Sequence, residues 1–333
     1  MCSMSNWIRK LSVLAAGCTL TVAACAADRH RWPDAASGMP RVGVQVKIQS
    51  FTRDDARRIR DTGFAFVRLG AWTDRLDEAA YRAQLDGAFA AARSAGLPVL
   101  LTVRTLGRFA GTDGADAKAT AALLADAGDR MADAVTALAA RHARDLIAIE
   151  LWNEPDLGRY WPTGDVARTF PPFAVALCRR LAARPPAVPI VGFGFAHPPL
   201  PGDVSGDLLA RVHAAAPHCL DAVSYHAYGM TPTQVRTAAD AIDARYGLPA
   251  LVTEDGAASV GADGERRQAQ RLRMLLDARG DLRTPLISIY EWADTANAGD
   301  TAQRSYGLVH ADRSRKPALD AARASLRAIP AAR

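Results

Sequence analysis

Short apolar runs alternate along this chain with longer stretches whose apolar positions recur every three or four residues. The runs fall at 42–48, 64–69, 99–103, 146–152, 189–194, 220–225, 251–253 and 286–290. Few polar residues interrupt them, which predicts strands buried on both faces. The stretches between have the helical period: Tyr81, Leu85, Ala88, Phe89 and Ala92 share one face. Their ends carry helix punctuation, with Thr52 as a start and Gly63, Gly96, Gly247 and Gly280 as stops. Helices are predicted over 52–63, about 81–96, 117–143, 172–183, 205–215, 233–246, 265–279 and 317–328.

Eight strands alternating with eight helices require crossover connections and therefore parallel pairing. The fold class predicted is α/β, a single-domain (β/α)8 TIM barrel over residues 41–333. A doubly wound sheet fits less well. No glycine-rich phosphate turn follows the first strand, and Gly192-x-Gly194 is a lone pair.

Residues 1–25 do not fit the barrel pattern. Arg9 and Lys10 precede an apolar run from Leu11 to Cys25, too short for a span of roughly 20 residues. This predicts an export signal followed by a tail over 26–40, and a periplasmic or extracellular location. Val22-Ala23-Ala24-Cys25 resembles a lipobox, with Cys25 the only route to a membrane; Ala24-Cys25-Ala26 equally fits ordinary cleavage. Removing the signal takes two positive charges from a net of +6, leaving +4. The remaining basic residues are spread out and not interleaved with aromatics, so nucleic acid is not an expected partner. Cys178 and Cys219 remain and are free to pair in an oxidising compartment. No CxxC or HExxH spacing occurs, so neither metal nor cofactor is expected.

Barrel chemistry is built where the strands end. The second strand delivers Arg68 and Trp72, the third Arg104, the fourth Asn153 and Glu154, the sixth His226 and Tyr228. The seventh delivers Glu254, and the eighth leads to Tyr290, Glu291, Trp292 and Asp294. Two carboxylates at facing strand ends, with aromatics beside them, suit glycoside hydrolysis: one protonates the leaving oxygen, the other attacks the anomeric carbon or activates water. Glu150 shares the parity of Glu154 but sits lower, and reads as a structural carboxylate paired with Arg68 or Arg104. Asp255 should point away from Glu254 as a turn or rim residue.

Leu151-Trp152-Asn153-Glu154-Pro155 followed by Thr253-Glu254 resembles the large clan of retaining (β/α)8 glycoside hydrolases. Tyr290-Glu291-Trp292-x-Asp294 and Tyr306-Gly307-Leu308 with Lys316-Pro317-Ala318 lean toward family 39 and its bacterial exopolysaccharide-cleaving relatives, then family 5. The resemblance implies a retaining enzyme acting on a β-linked polysaccharide, with Glu154 as acid/base and Glu254 as nucleophile. It further implies that Asn153 reads the sugar 2-hydroxyl, that Arg68 hydrogen-bonds Glu254, and that His226 and Tyr228 orient Glu254 and the sugar. Trp292 would be the stacking floor, and Trp161 would either stack on sugar or pack its loop. An endo-acting monomeric enzyme is the first expectation. An exo-acting β-glycosidase, or a carbohydrate-binding barrel without activity, is the alternative. Arg104 departs from the family 5 pattern, in which a histidine is common at that place.

Overall fold

The computed structural model describes residues 39–328, except 106 and 113. The expected targeting segment, with Cys25, lies outside these residues, as does the tail apart from Met39 and Pro40. Eight parallel strands close into a barrel in chain order: β1 (Arg41–Gln45), β2 (Phe66–Trp72), β3 (Val99–Arg104), β4 (Leu146–Leu151), β5 (Ile190–Phe195), β6 (Ala222–His226), β7 (Ala250–Asp255) and β8 (Leu286–Ile289). The helices between them are α1 (Arg53–Thr62), α2 (Ala79–Ser94), α3 (Ala117–His142), α4 (Val166–Ala183), α5 (Val204–Ala215), α6 (Pro232–Tyr246), α7 (Gly264–Asp277) and α8 (Pro317–Arg327). The chain is a (β/α)8 barrel, as the hydrophobic pattern predicts.

Local chemistry sets the helix ends. Thr52 and Asp55 form a reciprocal capping box at α1, and Gly63 closes that helix in the left-handed region. Thr231 and Gln234 repeat the box at α6, which Gly247 closes. The fourth helix begins six residues before the position expected from Pro172, because the Asp165 side chain caps it and the helix runs on through Pro171 and Pro172. A proline inside a helix removes one i to i−4 bond. The carbonyl that Pro171 leaves without its usual donor, that of Ala167, accepts from Arg211 of α5 at 3.2 Å.

Inside the barrel the side chains form two layers. Phe66, Leu100, Ala148, Val191, Ala222, Leu251 and Leu286, one from each of seven strands, make an apolar floor. The remaining strand, β1, contributes Gly43, where an added Cβ would lie 2.4 Å from the Phe66 ring, so the aromatic closes the barrel only because β1 carries no side chain there. Two residues further along their strands stand Gln45, Arg68, Thr102, Glu150, Ser224, Thr253 and Ser288, all buried. The alternation of strand side chains thus delivers a polar layer directly above the floor. The opposite parity faces the helices, and Val44, Val67, Leu101, Ile149 and Ile287 belong to the main core.

Cys178 of α4 and Cys219, just before β6, form a disulfide with their Cα atoms 4.9 Å apart. It closes a loop of 41 residues, and a loop of that length constrains the unfolded chain by about 3–4 kcal/mol. The double variant Cys178→Ala/Cys219→Ala is expected to melt about 5 °C lower in calorimetry. An unchanged midpoint would show that the bond does not contribute. Among the described residues, no helix is long and apolar enough to cross a membrane.

Candidate active site

Past Leu151 the chain leaves the β4 ladder through an unusual backbone. Trp152 has φ 73° and Glu154 has φ 55°, both in the left-handed region that non-glycine residues rarely adopt. Neighbouring strands hold the segment there: the Trp152 amide donates to Val103 at 2.8 Å and the Glu154 amide to Gly194 at 2.7 Å. The Trp152 indole packs against Trp161, with ring centroids 4.8 Å apart, and against Phe173 at 5.4 Å. Packing of this kind is what lets a strained turn persist, and such turns concentrate at functional sites. The result is that Asn153 and Glu154 project into the barrel mouth.

Arg68 organises what they meet. Its guanidinium, 1% exposed, donates from Nε and Nη2 to Glu150 at 2.9 and 2.6 Å. Nη2 also reaches the Asn153 carbonyl oxygen at 2.9 Å, and Nη1 reaches Gln45 at 2.8 Å and Glu254 Oε1. The Asn153 side-chain oxygen is therefore occupied, and the residue lines the cavity. Thr102 adds a hydroxyl to Glu150 at 2.6 Å. Tyr228 donates to the second Glu254 oxygen at 2.8 Å. His226 Nδ1 lies 2.8 Å from Glu154 Oε1 and 3.6 Å from Glu254 Oε2, so its nearer partner is Glu154. One oxygen each of Glu154 and Glu254, with a ring nitrogen of His226, lie within 4.8 Å of one another.

The electrostatics follow from this wiring. Burial alone would push the Glu254 carboxyl up; the charges of His226 and Arg68 and the bonds from Tyr228 and Arg68 outweigh it and bring it down to about 2. Burial opposes ionisation of Glu150 too, yet Arg68 holds it below the usual carboxylate range. Burial would favour a neutral His226, but the Glu254 charge and the bond to Glu154 raise its affinity for a proton. Burial, and then the charge of Glu254, keep the Tyr228 hydroxyl protonated as a donor. The Glu154, His226 and Glu254 atoms are close enough to ligate a cation, but Arg68 and Tyr228 already engage both Glu254 oxygens. A cation there would also sit beside the guanidinium.

The carboxylates open into a cavity of about 340 Å³ lined by Gln45, Lys47, Arg68, Arg104, Asn153, Tyr160, Tyr228, Tyr290 and Tyr306, among others. A second cavity, of about 490 Å³, adjoins it and shares Val46, Lys47, Gln49 and Trp72. The structure brings together Arg68, Asn153, Glu154, His226, Tyr228 and Glu254. It does not bring Trp161 or Trp292 into the carboxylate cavity. Trp161, 2% exposed, is packed among Phe109, Trp152, Phe170 and Phe173, with its indole N–H on Thr169 at 2.7 Å. Trp292, also 2% exposed, donates its indole N–H to Asp55 at 2.8 Å and borders only the second cavity. Both are packing residues, and neither offers an open face beside the carboxylates. Asp255 does point away from Glu254, but it is not a rim residue: it is buried against α7, paired with Arg271 at 3.1 Å, and burial raises it to about 6.

Sequence reading missed the contribution of β1. Gln45 and Lys47 line the cavity, and Lys47 bridges the Tyr290 hydroxyl at 2.9 Å and Glu291 at 3.2 Å. Tyr290, delivered by the eighth strand, lines the cavity with Tyr306, which sequence reading did not place there; they pack edge-to-face with Tyr228 at 6.3 and 5.8 Å. The signal available was the pair of polar residues, Gln45 and Lys47, inside the first apolar run.

No family model matches the chain, and no curated protein matches it. Solved structures do match. A family 39 glycoside hydrolase from the gut symbiont Bacteroides cellulosilyticus WH2 superposes with a TM-score of 0.65 at 17% identity, covering 88% of this chain and 64% of that one. This chain therefore spans just under two thirds of that protein. Xylanase 10B from Thermotoga maritima gives 0.61 at 13% identity over 86% of this chain and 94% of its own. A Bacteroidetes-affiliated family 5 cellulase linked with a polysaccharide utilization locus gives 0.60 at 17% identity over 90% and 94%. The fold of this chain is the eight-stranded parallel barrel that these three glycoside hydrolases share.

Proposed function

We propose that the protein is a glycoside hydrolase that cleaves β-linked polysaccharide with retention of configuration. The observation that carries this reading is the pair Glu154 and Glu254, with oxygens within 4.8 Å across the barrel mouth. Retention uses carboxyl groups roughly 5–5.5 Å apart, whereas inversion needs a wider gap for water. The environments divide the roles. Glu254, held ionised, attacks the anomeric carbon as the bond to the leaving oxygen breaks, and Glu154 gives that oxygen its proton. Glu154, now a carboxylate, takes a proton from water; the water oxygen attacks the same carbon and Glu254 departs as a carboxylate. Forming the ester removes the Glu254 charge that holds the proton on His226. His226 then gives up its proton more readily, at the stage where its neighbour Glu154 must act as a base.

Arg68 and Tyr228 hold the nucleophile's two oxygens. Asn153, its carbonyl fixed by Arg68, presents N–H donors to the sugar 2-hydroxyl, an interaction that strengthens in the transition state. Two adjoining cavities give room for several sugar units, which favours endo action on a polymer such as a bacterial exopolysaccharide over removal of single terminal sugars. The N-terminal apolar pattern and the disulfide both favour an exported enzyme. Proton NMR of a β-linked substrate during hydrolysis tests the mechanism. The β anomer should appear first and then mutarotate; α first would overturn retention.

A further inference from the structure

We infer that the cavity recognises an acidic sugar, a uronate whose carboxylate is taken by Arg104 with Arg159 beside it. The inference rests on the glycosidase reading for the identity of the ligand, but the charges that motivate it do not.

Four cationic side chains line the carboxylate cavity: Lys47, Arg68, Arg104 and Arg159. Two of them are already neutralised. Arg68 is consumed by Glu150 and Glu254, and Lys47 by Glu291. The catalytic pair has partners of its own in Arg68, Tyr228 and His226. Arg104 differs. It stands at the end of β3, next to Trp72 in the ladder, and is half-buried. No carboxylate among the described residues lies within ion-pair distance of its guanidinium. The Tyr160 ring centroid lies 5.8 Å from it. Burial lowers its affinity for a proton and outweighs the charges of Glu254 and Glu154, which act the other way from beyond ion-pair distance. Arg159 approaches the same ring at 4.8 Å. Arg104 and Arg159 thus flank the same Tyr160 ring and line the same cavity, where Glu254 and Glu154 act on Arg104 only through space and do not pair with it.

A half-buried guanidinium without an ion-pair partner carries a desolvation cost that a ligand carboxylate would offset. The planar fork of five donors matches a carboxylate in two parallel bonds, and the Tyr160 ring lies on one side of it. A neutral sugar would leave that charge desolvated and unpaired. Specificity therefore comes from both directions: attraction of the acidic substrate and a desolvation penalty for the neutral one.

The test compares a β-linked glucuronic-acid-containing oligosaccharide with the same compound after reduction of its carboxyls to hydroxymethyl groups. Wild type should cleave the acidic form with kcat/KM about 10- to 100-fold higher. Arg104→Gln should bring that ratio close to one, and added salt should shrink it. A sulfated oligosaccharide of the same length, cleaved or bound as well as the uronate, would show that only negative charge is read and would overturn the carboxylate assignment. The Glu254→Gln variant, by calorimetric titration, separates recognition from turnover. Preference for the acidic ligand in binding, abolished by adding Arg104→Gln, upholds the inference even if neither compound is hydrolysed by wild type, an outcome that would instead sink the glycosidase reading. Equal or absent binding of the acidic and reduced forms overturns the inference whatever the rates.

Discussion

Glu254→Ala is expected to lower kcat/KM on a β-linked polysaccharide by about 10⁴-fold or more, because the variant loses the covalent step rather than one contact. The space left by the carboxylate keeps its donors: the Arg68 guanidinium and the Tyr228 hydroxyl still point at it. A small anion such as azide fits that electrostatic setting. Adding it should restore cleavage and give a glycosyl azide of inverted, α configuration, since one displacement replaces two. Detection of that product by NMR would identify Glu254 as the nucleophile. Activity above about a hundredth of wild type in the variant, or loss without azide rescue in a protein shown to be folded, would assign Glu254 another role.

Arg68→Met should damage stability and catalysis together, for separable reasons. In the barrel interior it leaves Glu150, fully buried, without its counter-charge. Breaking a buried pair in this way costs about 3–5 kcal/mol, a fall of roughly 5–10 °C in Tm for a domain of this size. At the mouth, Glu254 loses one of the two charges that bring it to about 2. A depressed carboxyl contributes stability that is complete above its ordinary value of 4.5 and is lost as pH falls through the folded value. Without Arg68 the folded value rises, so that contribution shrinks and is fully lost at a higher pH, and the acid limb of kcat/KM shifts upward. Adding Glu150→Gln removes the unpaired charge, so it should recover much of the Tm while leaving the acid limb shifted. Recovery of both would mean that Arg68 acts only through the barrel interior; recovery of neither would mean that the two carboxylates are not coupled through it.

The architecture was readable because each strand of a closed parallel barrel is buried on both faces, so burial appears in the chain as uninterrupted apolar runs. The carboxylates were readable for a related reason: a polar residue ending such a run has only the mouth to occupy. The same reasoning failed at β1, which ends at Gln45. The apolar run continues through Val46 and Ile48, so Lys47 was counted as strand interior when it already lines the mouth. It failed differently for Trp292 and left Trp161 undecided. A tryptophan in a loop after a strand can show a face to ligand or bury it, and the choice depends on distant partners, here Phe173 and Asp55. The early start of α4 was hidden because prolines punctuate a sequence whether or not a neighbouring helix compensates them, as Arg211 does.

The backbone at Trp152 and Glu154 has a consequence for how this protein could change over time. A non-glycine residue in the left-handed region costs of order 1–2 kcal/mol, so this turn is a place where selection for robustness and selection for turnover pull apart. Glycine or asparagine at either position would relax the chain, and a population screened for heat resistance alone would drift that way. The drift would also remove the indole that props the turn or the carboxylate that it aims. On the proposed activity, only continued demand for the reaction keeps a tryptophan and a glutamate in conformations that neither favours.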